Sequence, residues 1–161
     1  MANSLEIQIG QLLHERGLKL VLAESCTGGL LGSRITDVAG SSEYFLGGVV
    51  AYAYEAKAEL LGVSWDTLNA RGAVSRETVL EMARGIRDLM KADIAMSVSG
   101  IAGPGGGTPE KPVGTTWIGF VAEEGEWAKI FQFSGDREEN KRAAADAALQ
   151  LLLDYLQGKP L

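Results

Sequence analysis

The chain predicts an α/β fold: a three-layer α/β/α sandwich around a mixed, mostly parallel sheet. Three observations carry this. Short apolar runs alternate with helical stretches from residue 4 to residue 98. Two later runs, Thr115–Ala122 and Trp127–Phe133, flank Glu123-Glu124-Gly125-Glu126, a hairpin signal that adds antiparallel strands. Small-residue loops at 23–29 and 99–107 follow strand-like runs, and ligands of open α/β sheets bind at the carboxyl ends of strands.

The elements follow in order. Residues 4–16 read as a helix with Asn3 or Ser4 as cap, a stripe of Leu5, Ile9, Leu12 and Leu13, and Gly17 at its end. Leu18–Leu22 reads as a buried strand and Leu30–Val38 as a helix. Gly40-Ser41-Ser42 breaks the chain before a strand over Gly47–Tyr54. Glu55–Leu61 and Trp65–Ala70 read as short helices. Ser75 suits the N-cap of a helix to about residue 90, with Val79, Met82, Ala83, Ile86 and Met90 on one face. Asp93–Val98 is a short strand that opens into a long glycine- and proline-rich loop, of the length that carries function in compact domains. After the hairpin, Asp136 and Glu139 have capping-box spacing before a helix to about Gln157. No internal repeat or linker interrupts the pattern, so residues 1–161 read as one domain.

Composition narrows the function. The 161 residues are 46% hydrophobic and 22% charged, with a formal charge of −6. That balance argues against a nucleic-acid partner, which needs clustered Lys and Arg, but not against an anionic small molecule at a local positive site. No apolar run approaches a membrane span and no leader pattern is visible, so the expected location is the cytoplasm and no membrane partner is expected. Cys26 stands alone, which rules out an internal disulfide. His14 is the single histidine, on the polar edge of the first helix. Zinc-ligand spacings are missing, so no metal site and no cofactor are expected. Trp65, Trp117 and Trp127 do not all find a place in the core, which is compatible with a homo-oligomer.

The turn Ala23-Glu24-Ser25-Cys26-Thr27-Gly28-Gly29 is the richest in chemistry. It joins a strand to a helix, lets backbone N–H groups approach a ligand, and places a helix N-terminus behind it that favours an anion. Ser25 or Cys26 there resembles a nucleophile on an elbow, although G-x-S-x-G is absent, as are the standard phosphate-loop motifs. With His14 the one imidazole, a nucleophile needs another base. A lysine whose pKa is lowered by burial can serve, and Lys57, at the start of a helix beyond a strand, is the best placed.

Seven segments, taken together and in order, resemble one family: AESCTGG (23–29), GSSEYFLGGVVAY (40–52), EAK (55–57), GAVS (72–75), SGIAGPGGG (99–107), KPVGTTW (111–117) and SGDR (134–137). They are similar to the C-terminal domain of the competence/damage-inducible protein CinA, the nicotinamide-mononucleotide amidohydrolase family. The resemblance implies the same three-layer fold and hydrolysis of the carboxamide of nicotinamide mononucleotide to nicotinic acid mononucleotide and ammonia, a step in pyridine-nucleotide recycling. It implies a serine–lysine pair without metal or cofactor. The nucleophile is carried to Ser42, the second serine of GSS, and the base to Lys57. Tyr52, Ser99 and Arg137 match further site positions. Ser25, Thr27, Gly28, Gly29 and Gly100 then line the substrate pocket, Arg137 and the helix behind Gly29 meet the phosphate, and backbone N–H groups near Ser99-Gly100 hold the oxyanion. Cys26 packs beneath. Where relatives commonly carry Asn between the tyrosine and the lysine, this chain has Tyr54.

Two alternatives stand beside that reading: a non-catalytic nucleotide-binding module, and a cysteine amidohydrolase using Cys26. One piece of arithmetic also stands against the Ser42 assignment. A straight strand over 47–54 spans about 25 Å at ~3.3 Å per residue, with Ser42 before it and Lys57 after it. The two meet only if the 40–46 segment folds back, if the strand is short or bent, or if a second subunit supplies one of them.

Overall fold

The computed structural model describes residues 3–161. The elements are α1 (Leu5–Arg16), β1 (Leu20–Glu24), α2 (Leu30–Thr36), a 3-10 turn at Ser41–Glu43, β2 (Phe45–Val50), α3 (Tyr54–Leu61), α4 (Trp65–Arg71), α5 (Arg76–Met90), β3 (Ile94–Gly100), β4 (Thr115–Ala122), β5 (Gly125–Gln132) and α6 (Arg137–Leu156). One sheet runs in the order β2-β1-β3-β4-β5. β2, β1 and β3 are mutually parallel, and β4 is antiparallel to both β3 and β5. Four of the five strands therefore point the same way, as a mixed, mostly parallel sheet requires.

Strand alternation divides the core into two layers. Leu20, Leu22, Met96, Val98, Ile118 and Phe120 pack with Ile9 and Leu13 of α1, Leu31 and Ile35 of α2, and the alanine- and leucine-rich face of α6. Val21, Ala23, Ala95 and Val121 point the other way, onto Leu61 of α3, Leu68 of α4 and Met82, Ala83 and Ile86 of α5. Gly85 brings α3 and α5 together: a Cβ there would stand 1.8 Å from the Leu61 carbonyl oxygen, so no larger residue fits. Because α3 carries Lys57, this contact helps to set the depth of the site.

The local signals hold. Ser4 caps α1, Ser75 caps α5, and Asp136 and Glu139 form a complete capping box on α6. Several boundaries move, and two of them show their cause. Leu18 lies outside β1, just past the C-cap of α1: Gly17 is left-handed and the Leu18 N–H reaches back to the Leu13 carbonyl. β2 starts at Phe45 and stops at Val50, because its parallel register with β1 ends at the Glu24–Val50 pair. Ala51, Tyr52 and Ala53 are thereby freed to link β2 to α3.

Trp127 does find a core partner set, with its ring centroid 5.7 Å from Phe120 and 6.1 Å from Tyr155, whereas Trp65 is 46% exposed. Among the described residues, no helix is long and apolar enough to cross a membrane.

Candidate active site

The parallel strands β1, β2 and β3 end at one edge, and the segments that leave them meet there. Ser25 follows β1 directly and stays tied to β3, its N–H donating to the Val98 carbonyl at 2.9 Å. The Ala51 N–H donates to the Glu24 carbonyl at 2.8 Å, which clips the exit of β2 to the exit of β1. α3 then folds back and drives Lys57 into the interior, where it has no exposed surface.

Lys57 Nζ lies 2.8 Å from Ser25 Oγ, 2.8 Å from the Ala51 carbonyl oxygen and 2.9 Å from the Tyr52 carbonyl oxygen. An ammonium has three N–H groups, and here each finds an acceptor. Burial lowers the lysine pKa from its ordinary 10.5 to about 8. In the neutral amine, the two carbonyls can only accept and so hold the two remaining N–H groups. The lone pair is left for Ser25, the one partner with a proton to give.

Ser42 is elsewhere. It sits exposed in the turn at the amino end of β2, with the length of that strand between it and Lys57. Lys57 makes no hydrogen bond to it; within this chain the serine bonded to Lys57 is Ser25, not the Ser42 that the resemblance implies. The physical reason is the parallel pairing of β1 and β2, which brings the carboxyl end of β1, not the amino end of β2, to α3.

Tyr52 contributes through its backbone. Its carbonyl orients Lys57, while its ring is 58% exposed and its hydroxyl accepts a hydrogen bond from Arg137 Nη2 at 2.9 Å. Arg137 also donates to the Gly103 carbonyl at 2.6 Å, and so joins the β2 exit to the 101–107 loop. Ser99 is buried near the end of β3, one position beyond the Val98 that pairs with Glu24. Gly100 closes β3, where it pairs with Thr116 of β4. Cys26 is buried in the core, and burial pushes its thiol up to about 11.

The helix terminus expected to meet an anion is already occupied. The buried Glu24 carboxylate accepts from the N–H groups of Leu31 and Gly32 at 2.9 and 3.0 Å, and from Thr27 Oγ1 at 2.6 Å. It caps α2, whose own N-cap, Gly29, has no side chain to offer. Gly28 and Gly29 both take positive φ (59° and 102°), the conformation that turns the chain from β1 into α2. Thr27 is thus a structural partner of Glu24 and not a free donor.

Two contributors carried no sequence signal. Asn140 is buried; its amide nitrogen donates to the Ala102 and Gly135 carbonyls and its oxygen accepts from the Gly135 N–H, which pins the 101–107 loop to α6. Ala51 acts through its backbone, its carbonyl holding Lys57 and its N–H tied to Glu24. Tyr54 accepts from the Ala73 N–H at 3.3 Å and packs on Trp65, away from the lysine.

A model of the CinA C-terminal domain family matches residues 2–156. The chain belongs to this family. Among solved structures, the competence damage-inducible protein A from Klebsiella pneumoniae is similar with a TM-score of 0.92 and 38% identity, over 95% of each chain. The competence/damage inducible protein from Agrobacterium tumefaciens is similar with a TM-score of 0.90 and 38% identity, over 98% of each chain. The CinA-like protein of Chlorobaculum tepidum is 52% identical over 96% of this chain but 38% of its own length. The chain spans well under half of several such curated relatives. The nicotinamide-nucleotide amidohydrolase PncC of Enterobacter agglomerans is 51% identical over 94% of this chain and 93% of its own.

Proposed function

We propose that the chain is a nicotinamide-nucleotide amidase that hydrolyses the carboxamide of nicotinamide mononucleotide, with Ser25 as nucleophile and Lys57 as general base. The near full-length relative that bears the name of this activity supports the substrate class. The observation that carries the chemistry is the 2.8 Å contact between a buried lysine and a serine at the carboxyl edge of the sheet.

The neutral Lys57 amine takes the Ser25 proton as the oxygen attacks the carboxamide carbon. The N–H groups of Cys26 and Thr27 follow the nucleophile directly, and among the described residues they bond no protein acceptor. They take the role of oxyanion donors that the sequence assigned to Ser99-Gly100, and such a donor is worth about 3 kcal/mol of barrier. The Lys57 ammonium then protonates the departing nitrogen, ammonia leaves, and an acyl-Ser25 ester remains. Water, deprotonated by the same amine, cleaves the ester and restores both residues. The exposed Tyr52 ring stands at the mouth of the site, where it can stack on the pyridinium.

The chain is proposed to work as a single domain over residues 1–161 and in the cytoplasm. The cysteine alternative is disfavoured by the same geometry, since the Cys26 thiol is buried and held protonated at neutral pH.

The test is ammonia release from nicotinamide mononucleotide. Ser25→Ala is expected to lose about a thousandfold or more in kcat, while Ser42→Ala and Cys26→Ala stay within about threefold of wild type. No ammonia from folded wild type, or loss confined to Ser42→Ala, overturns the reading.

A further inference from the structure

Resting on the substrate proposed above, we infer that Lys141 is the principal ligand for the substrate's phosphate, in a cationic pocket completed by Arg137 and Arg142.

The pocket has a volume of about 400 Å³ and is lined by Leu30, Arg137, Glu138, Lys141 and Arg142. Three cations against one carboxylate leave a local excess of two positive charges, in a chain whose formal charge is −6. Such a concentration of one sign in an acidic protein attracts a dianion.

The three cations are not equivalent. Arg142 pairs with Glu138 across one helical turn. Arg137 is spent on two neutral acceptors, the Gly103 carbonyl and the Tyr52 hydroxyl, so its position is fixed while its charge stays uncompensated. Lys141 is half-buried and, among the described residues, has no ion-pair or hydrogen-bond partner. It lies one turn beyond Arg137 on the same face of α6.

Its amine faces the nucleophile's own turn. A Cβ built on Gly28 would stand 3.8 Å from Lys141 Nζ, and the Gly28 N–H donates to the Ser25 carbonyl at 3.1 Å. A mononucleotide with its carboxamide on Ser25 can therefore lay its phosphate past Gly28 onto Lys141. Two nearby helix N-termini are already filled: Glu24 occupies that of α2, and the capping box that of α6. Of the three cations, Lys141 is the one with neither a counter-charge nor a hydrogen-bond acceptor among the described residues.

The experiment uses calorimetry in the inactive Ser25→Ala background, with nicotinamide mononucleotide and nicotinamide riboside as ligands, beside steady-state kinetics of the active enzyme. Lys141→Ala is expected to weaken mononucleotide binding about 10- to 100-fold and to raise KM similarly, with kcat within about threefold. Riboside binding should change less than about twofold, Lys141→Arg should recover most of the loss, and competitive inhibition by inorganic phosphate should weaken in parallel. Equal losses for mononucleotide and riboside, or an unchanged KM, overturn the assignment. If wild type releases no ammonia from the mononucleotide, the proposed reaction fails instead. The pocket is then judged on inorganic phosphate alone, by thermal shift: stabilisation of wild type lost in Lys141→Ala supports an anion site, and no stabilisation refutes it.

Discussion

Two turns of similar composition sit at opposite ends of the sheet. At the carboxyl end, Glu24-Ser25-Cys26-Thr27-Gly28-Gly29 is buried up to its glycines and bonded to a lysine with no exposed surface. At the amino end, Gly40-Ser41-Ser42-Glu43 forms a 3-10 turn whose second serine is exposed and whose Glu43 pairs with the surface His14 at 2.7 Å. Both offer serines beside glycines. Only the first has strand exits on both sides to deliver a base, since β1 and β2 are parallel and both release their chains at that edge. What makes a serine reactive here is the convergence of three strand ends, not its neighbours in sequence.

The largest expected effect breaks the carboxyl end at its base. Lys57→Met should remove about three orders of magnitude from ammonia release. In wild type, kcat/KM should rise tenfold per pH unit and level off through about 8, because the attacking pair needs the neutral amine and the lysine pKa lies near there. Stability should follow the same group. The folded-state pKa is lowered, so folding disfavours the proton, and the penalty is present in full below about 8 and relieved as pH rises to the ordinary 10.5. Wild type should thus gain up to about 3 kcal/mol relative to Lys57→Met across that window, read from urea midpoints at several pH values. A flat difference between the two proteins would place the amine in water and sink the base assignment.

How far the sequence could see follows from the range of the interactions. The caps at Ser4, Ser75 and Asp136, the hairpin and the layered fold are written in neighbours within a few residues, and they were legible. Lys57 stood out as the best-placed lysine beyond a strand, and the resemblance gave it the role of base. Its partner was not legible, because the contact joins residues 32 apart and depends on which ends of β1 and β2 lie together. The motif resemblance pointed to Ser42, while the strand-length arithmetic already counted against it. Asn140 and the Ala51 and Tyr52 carbonyls gave no signal, since a backbone oxygen looks the same in every sequence. Lys141 did have one: it stands four residues after Arg137 on a helix whose start was already placed at the site.

A smaller effect tests how the carboxyl-end turn is held. Glu24 accepts three hydrogen bonds while buried, two of them from the first turn of α2. Glu24→Gln keeps the shape but aims an amide N–H₂ at a backbone or hydroxyl donor, and so leaves at least one buried donor unpaired. A loss of about 2 kcal/mol is expected in the urea midpoint, with reduced ammonia release as the Ser25 turn loosens. An unchanged midpoint would mean that water, not Glu24, satisfies the start of α2.

The amino end should answer the same operation with the opposite sign. The Tyr44 ring is buried under α1, and its hydroxyl is the one buried side-chain polar atom without a partner among the described residues. Gly10 makes room for it: a Cβ at that position would lie 2.5 Å from the oxygen. The hydroxyl has given up water and gained nothing in return, so deleting it removes a desolvation cost and leaves a space smaller than a methyl group. Tyr44→Phe is expected to raise stability by about 1 kcal/mol, read as a higher urea midpoint at constant slope, with ammonia release unchanged. A loss of stability would reveal a buried water bonded to the hydroxyl. A change in turnover would show that the two ends of the sheet are coupled, against the separation that their geometry implies.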